Sequence, residues 1–273
     1  MRNLVVPLTL SLFATPLITT TAVSAAPLLP HFEVANFVAG AVINHPYLPL
    51  QGGAPRRFEG EVQGAQEAFE FLVLGVGPVI LGVETTVLRD RAFDEGLIVE
   101  DTLDYFAQDV TGNVWYFGED VTNYKYDANH NLIGTNSSSS WRAGVNSALP
   151  GFFMPADLQT GLSYYQEFAP FDAAMDDAQT LASDRVLNLD IGTYTDVLAV
   201  LETSARSPNS RGIKYYAPGV GLIAEDTGVS ADLRNAAGRL EWVGAAPVPL
   251  PASLVLMLSA ITGLGLRRRA MTS

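Results

Sequence analysis

The side chains that could perform chemistry are few and widely spaced. His31, His45 and His130 are the only histidines, and no two share a strand or helix at the spacing a zinc site uses. No Gly-x-Ser-x-Gly elbow presents a serine nucleophile, although a Ser-His-Asp set at other spacings stays open. No phosphate-binding glycine loop with its lysine occurs. Cysteine is absent, which removes thiol chemistry and disulfides together. The sequence therefore gives no catalytic residue, metal site or cofactor site, and argues for a protein that is not an enzyme.

Two acidic groups come nearer to a site. Asp127, Asn129 and Asn131 are spaced like the first ligands of an EF-hand loop. The sixth position is Leu132 instead of glycine, however, and the twelfth holds no glutamate. Hairpin turns select the same residue types, because Asn and Asp tolerate the left-handed backbone, so a turn is the preferred reading. Asp172, Asp176 and Asp177 would lie on one face of a short helix, where a solvated acidic face is the simpler account.

The aromatics are more numerous. In Val114-Trp115-Tyr116-Phe117, Trp115 and Phe117 project to one side of a strand and Tyr116 to the other, so both faces of that sheet have cover. Tyr105, Tyr124, Tyr126, Tyr164, Tyr165, Tyr215 and Tyr216 add to the supply. Three readings fit. The first is ordinary core packing. The second is a concave apolar cup lined by Trp115, Tyr116 and Phe117, for a lipid or other hydrophobic ligand. The third is an exposed aromatic surface for glycans or matrix.

The elements that would position these residues read as strands. Leu28 to Val38 is a short helix or entry segment, and Asn44 to Leu50, with two prolines, is extended or turning. Phe69 to Val76 and Val79 to Leu88 are valine-rich runs broken by Gly75, Gly77 and Pro78. Val99 to Asp109 alternates, with Val99, Leu103, Tyr105 and Ala107 on one face and Glu100, Thr102, Asp104 and Gln108 on the other. Asp109 to Asn113 and Asp127 to Asn131 predict hairpin turns. Asn136 to Ser140 is a polar loop, Trp141 to Thr160 is loop-like, and Tyr164 to Phe168 is a strand. Phe171 to Leu181 is the best helix candidate. Strands return at Asp184 to Leu189, Thr193 to Thr203, Gly212 to Ala217, Gly221 to Glu225 and Gly238 to Val243. Short strands at intervals of about 8 to 15 residues predict a mainly β, antiparallel, single β-rich domain over residues 26–247.

Both ends of the chain are set apart from that domain. Residues 1–25 read as a signal peptide, with Arg2 before an apolar run and cleavage between Ala25 and Ala26; an uncleaved anchor is the alternative. Residues 248–273 hold the proline-rich Val248-Pro249-Leu250-Pro251-Ala252, an apolar stretch from Ser253 to Leu266, and Arg267-Arg268-Arg269. The stretch is shorter than the roughly 20 residues of a comfortable span, and the arginines would hold its end at the cytoplasmic face. A buried C-terminal helix is the competing account. Without Arg2 and the tail arginines the domain carries a charge near −17, against −13 for the whole chain. That surplus rules against nucleic acid or anionic lipid headgroups as partners. It suits a soluble exported protein, including one that meets cations.

The tail resembles the C-terminal sorting signals of the PEP-CTERM type, read by exosortases in Gram-negative bacteria. Val248 to Ala252 is similar in full to the pentapeptide of the VPLPA-CTERM variant. The resemblance implies an exosortase-like processing enzyme as partner and transient anchoring in the inner membrane through a hydrophobic helix. A final place at the cell surface or in an exopolysaccharide matrix follows from the same system. Val248 to Ala252 would serve recognition and Arg267 to Arg269 retention. A second resemblance rests on Phe106-Ala107-Gln108-Asp109, Val114 to Glu119, Leu149-Pro150-Gly151 and Lys214 to Leu222. These phrases look like landmarks of uncharacterised exported bacterial proteins, and imply a curved antiparallel half-barrel of the kind lipoprotein carriers use.

Overall fold

A computed structural model describes residues 26–172, 174–207 and 209–245. The signal peptide with Ala25, the sorting motif Val248 to Ala252 and Arg267 to Arg269 all lie outside the described residues, as do the expected terminal helices.

The entry segment makes one 3-10 turn at Val34–Asn36 and then a small hairpin, β1 (Ile43–His45) with β2 (Leu48–Leu50). Long strands follow: β3 (Arg56–Val62), β4 (Ala65–Ile80), β5 (Val83–Asp94), β6 (Leu97–Gln108) and β7 (Val114–Tyr126). Shorter ones come next: β8 (Leu132–Asn136), β9 (Trp141–Arg142), β10 (Leu149–Met154), β11 (Ser163–Tyr165) and β12 (Glu167–Phe168). The chain ends in β13 (Asp176–Leu189), β14 (Gly192–Ser204), β15 (Arg211–Ala217), β16 (Gly221–Thr227) and β17 (Gly238–Ala245).

Apart from the β1–β2 hairpin, the strands form one 15-stranded antiparallel sheet, running β11-β13-β14-β15-β16-β17-β3-β4-β5-β6-β7-β10-β12, with β8 and β9 added on β7. Its two ends, β11 and β12, are neighbours in sequence with only Gln166 between them. The Gln166 backbone N–H donates to the Asp176 carbonyl at 2.9 Å, and its side chain donates to the Phe153 carbonyl at 3.3 Å. One residue thus bridges β13 and β10, and the sheet is a nearly closed barrel. The mainly β antiparallel expectation holds, and the half-barrel is extended almost to closure.

Three local expectations are corrected. Phe171 to Leu181 is not a helix: Asp176 onward is the first part of β13, pairing with β11 on one edge and β14 on the other. Ladder bonds on both edges override the weak local helix preference of Ala and Asp-rich sequence. Asp176 and Asp177 therefore fall on opposite faces of a strand instead of sharing a helical face. Trp141 to Thr160 is not all loop, because β9 and β10 both add to β7. Gly75, Gly77 and Pro78 do not interrupt β4; register shifts between Val73 and Gly75 and between Val76 and Val79 absorb them as irregularities in one long strand.

Alternation gives the sheet two buried faces. Inside the barrel, Phe58 stacks on Phe69 with ring centroids 4.4 Å apart, and Phe106 on Tyr116 at 4.8 Å. On the outer face of β14 to β16, Val197, Ala199, Ile213, Tyr215 and Ile223 form a second cluster, with Val229 from the following loop. The entry segment straps the outer face of β7, placing Phe32 and Phe37 between 5.6 and 5.9 Å from the rings of Trp115 and Phe117.

Candidate functional site

The barrel encloses a cavity of about 210 Å³, room for several waters or a small organic group. Its mouth is at the β2–β3 connection, where exposed Gln51, Gly53 and Ala54 contribute to the lining. The walls are largely apolar: Leu48 and Leu50 of the small hairpin, Phe71 and Val73 of β4, Leu88 of β5, and Phe153 and Leu222 opposite. Deeper in, the lining changes character, with Asp90 of β5, Asp104 of β6, Glu167 of β12, Asp176 of β13 and Glu202 of β14 surrounding a single amine, Lys214 of β15.

Strand alternation explains this convergence. Asp104 and Phe106 share the inward face of β6 while Tyr105 and Ala107 point outward, and Lys214 and Tyr216 share the inward face of β15 while Ile213 and Tyr215 point outward. The polar face of β6 is thus turned into the barrel.

Lys214 Nζ lies 2.7 Å from Glu202 Oε2, and Gln166 Nε2 donates to Glu202 Oε1 at 3.1 Å. Both partners of the ion pair keep about a fifth of their side-chain surface, Lys214 21% and Glu202 19%, which opens onto the cavity they line. Burial opposes the Lys214 charge, but Glu202 and Glu225 outweigh it, so its pKa is held above the usual lysine range. The Tyr116 hydroxyl donates to Asp104 Oδ1 at 2.5 Å and stands 3.2 Å from Glu119 Oε2. Oδ1 of Asp90 is shielded from solvent and has no hydrogen-bond partner among the described residues.

Crowding of carboxyls in a low-dielectric interior penalises their ionised forms. Burial, against the pull of Tyr116 and Lys214, raises Asp104 to about 7. Burial and the neighbouring Asp104 push Asp90 well up. Burial and Asp176 do the same to Glu167. Burial with Glu167 and Asp104 takes Glu119 to about 10, and burial takes Glu225 to about 7. Near neutral pH several of these groups are uncharged acids, able to donate as well as accept a hydrogen bond. The other cation at the cavity, Arg56, donates to the carbonyls of Val220 and Leu222 at 2.8 and 2.6 Å and lies over the Trp242 ring at 4.2 Å. Its two Nη groups are directed at the wall, away from the carboxyls, while Nε is buried with no hydrogen-bond partner among the described residues, and burial lowers its pKa to about 10.

The expected cup residues divide. Tyr116 lines the cavity, but Trp115 and Phe117 do not, because alternation turns them outward beneath Phe32 and Phe37. Trp115 is structural in a second way, its indole N–H donating to Asp109 Oδ2 at 2.8 Å and so bracing the β6–β7 turn. The histidines also have local roles. His45 is buried; the Tyr47 N–H donates to Nδ1, which leaves the proton on Nε2 to donate to the Pro155 carbonyl. Burial accordingly lowers its pKa. His31 is exposed beside Glu33, and His130 sits in the β7–β8 turn with φ of 63°. Asp127 Oδ1 is occupied by N–H donors of Asn129 and Asn131, the hairpin-turn arrangement.

The acidic floor escaped the sequence reading. Its five acidic members come from five strands between residues 90 and 202, and no two are adjacent in sequence. The available signal was the polar face of β6, which alternation defines without saying whether it turns in or out.

No known family model matches the chain, and no curated protein does. Among solved structures, the chain is similar to a candidate exported protein with a YmcC-like fold from Bacteroides fragilis. That match has 10% identity and a TM-score of 0.38, over 76% of this chain and 100% of the other. It is also similar to a candidate lipoprotein of Parabacteroides distasonis, with 13% identity and a TM-score of 0.35, over 74% of this chain and 99% of the other.

Proposed function

We propose that this chain is an exported, non-enzymatic binding module of the bacterial envelope that takes a small, partly apolar ligand into its barrel. The observation that carries the reading is the internal cavity with hydrocarbon walls at its mouth, a carboxyl-rich floor and two unpaired polar atoms, Asp90 Oδ1 and Arg56 Nε, in its lining. A purely structural matrix protein has no need of a lined interior, and Asp90 left unpaired inside a packed core carries a desolvation penalty that a ligand would offset. Export and sorting rest on the sequence: the signal peptide, the Val248 to Ala252 motif and the Arg267 to Arg269 end support delivery to the envelope, processing by an exosortase-like enzyme, and a surface or exopolysaccharide-matrix destination.

Two experiments test the two halves. Native mass spectrometry of the protein purified from its own host is expected to show an added small-molecule mass that organic extraction removes; a bare polypeptide mass argues against the binding role. Replacing Arg267, Arg268 and Arg269 together by glutamine is expected to cause mis-sorting. Unchanged fractionation and tail processing in that variant count against the sorting assignment.

A further inference from the structure

We propose that the ligand of this cavity is an organic ammonium compound, a protonated amine on an apolar body. The inference deepens the binding-module reading and rests on it. Four carboxyls, Asp90, Asp104, Glu167 and Asp176, reach the floor from four strands, while the one amine there, Lys214, is already paired with Glu202 at 2.7 Å. An ammonium group brings up to three N–H donors in a compact volume, and the half-buried Asp90 carboxyl on the lining, its Oδ1 unpaired among the described residues, is an acceptor for one. Phe71, Phe106 and Phe153 also line the cavity, and aromatic faces attract cations as well as hydrocarbon.

Other ligand classes fit less well. A carboxylate or phosphate would enter among acidic groups, with Arg56 directed to wall carbonyls. A neutral hydrocarbon would fill the walls and leave the Asp90 oxygen unpaired. A bare divalent ion would make no use of the apolar entrance, and among the described residues no three His, Cys, Asp or Glu side chains are grouped to hold a metal.

A proton balance follows from the chemistry. A carboxyl kept neutral in the empty cavity ionises when a fixed positive charge arrives beside it, giving its proton to solvent. The titratable and charged groups that face Asp90 are Asp104 and Glu100 from β6, Lys214 from β15 and Glu225 from β16. Asp104 faces Tyr116 of β7 as well.

The test is isothermal titration calorimetry on the protein purified from its host and stripped by organic extraction, with n-hexylamine, n-hexanol, n-hexanoate and calcium chloride as probes. At pH 7.5 hexylamine is expected to bind at least about tenfold more tightly than hexanol, hexanoate and calcium not to bind, and the heat to vary with buffer ionisation enthalpy because protons are released. Asp90→Asn, which keeps shape, is expected to lower hexylamine affinity about tenfold while leaving hexanol binding unchanged and the melting temperature no lower; if that variant does not fold, Asp176→Asn takes its place. Hexanol binding as tightly as hexylamine, calcium or hexanoate binding in the cavity, an unweakened Asn variant, or no proton release each overturns the ammonium assignment while leaving a binding module. No binding by any probe, together with a bare native mass, overturns both.

Discussion

Asp104 shows how a single side chain can trade stability for poise. Its carboxyl accepts from Tyr116 at 2.5 Å, yet burial holds its pKa at about 7, well above the unfolded value of about 4. A carboxyl raised in the folded state stabilises the fold while it stays protonated, and that contribution is lost as pH climbs from about 4 through 7. Asp104→Asn keeps an oxygen for the Tyr116 hydroxyl and removes the titration. Denaturant melts are expected to show the variant at least as stable as the parent at pH 8, with a smaller loss between pH 5 and pH 8. A variant that is weaker at both values would mean the ionised carboxylate is needed by the fold. Trp115 teaches the complementary lesson. As an aromatic within a candidate cup it invites a binding role, but its indole N–H is committed to Asp109 and its ring to Phe32, Phe37 and Phe152.

At the scale of elements, the seam between β10 and the β11–β12 segment decides whether the barrel closes. Gly151 of β10 lies so near that segment that a Cβ would stand 2.3 Å from the Tyr165 carbonyl oxygen and 2.5 Å from that of Gln166. Gly151→Ala is expected to push the seam apart at a cost of about 2–3 kcal/mol. Amide exchange should quicken in β10 to β12 while β4 to β6 stay protected. Gly134→Ala on β8, where an added Cβ meets nothing within 4 Å, is expected to change stability by less than about 0.5 kcal/mol. Equal effects of the two would remove the seam argument. Strands of this kind were legible beforehand: the period-two pattern of Val99 to Asp109 and the Asp-Asn turns name β6, β7 and their hairpins correctly. The Phe171 to Leu181 segment was not, because its short Ala and Asp side chains leave its state to the partners β11 and β14. The floor of the cavity was illegible for a related reason. Alternation sorts Asp104 from Tyr105, but only the curvature of the whole sheet says which of them faces inward.

For the molecule as a whole, the raised carboxyls act together. Asp90, Asp104, Glu119, Glu167 and Glu225 all bind protons more tightly in the fold than in the unfolded chain, so stability falls as pH rises above about 4, with Asp104 and Glu225 giving most of their share by about 7. Asp109 works the other way. Hydrogen bonds from Asn113, Trp115 and Thr111 overcome burial and lower its pKa, so its contribution is present above about 4 and lost as pH falls. The thermal midpoint is therefore expected to be higher at pH 5.5 than at pH 8, and a midpoint that rises across that interval would contradict the protonated floor. Saturation with a bound cation should flatten the profile, since ligand charge replaces the missing protons.

The pairing of β17 with β3 has a mechanical meaning. Ala245 lies opposite Arg56, and Arg56 is part of the cavity lining beside the exposed Gly53 and Ala54. Ala245, the last described residue, therefore stands at the barrel's doorway. A pull applied at Ala245 would load the β17–β3 pairing, directly beside the route a ligand must use. Tension and occupancy would then share one hinge, and a tether there would be felt by the cavity before any other part of the barrel.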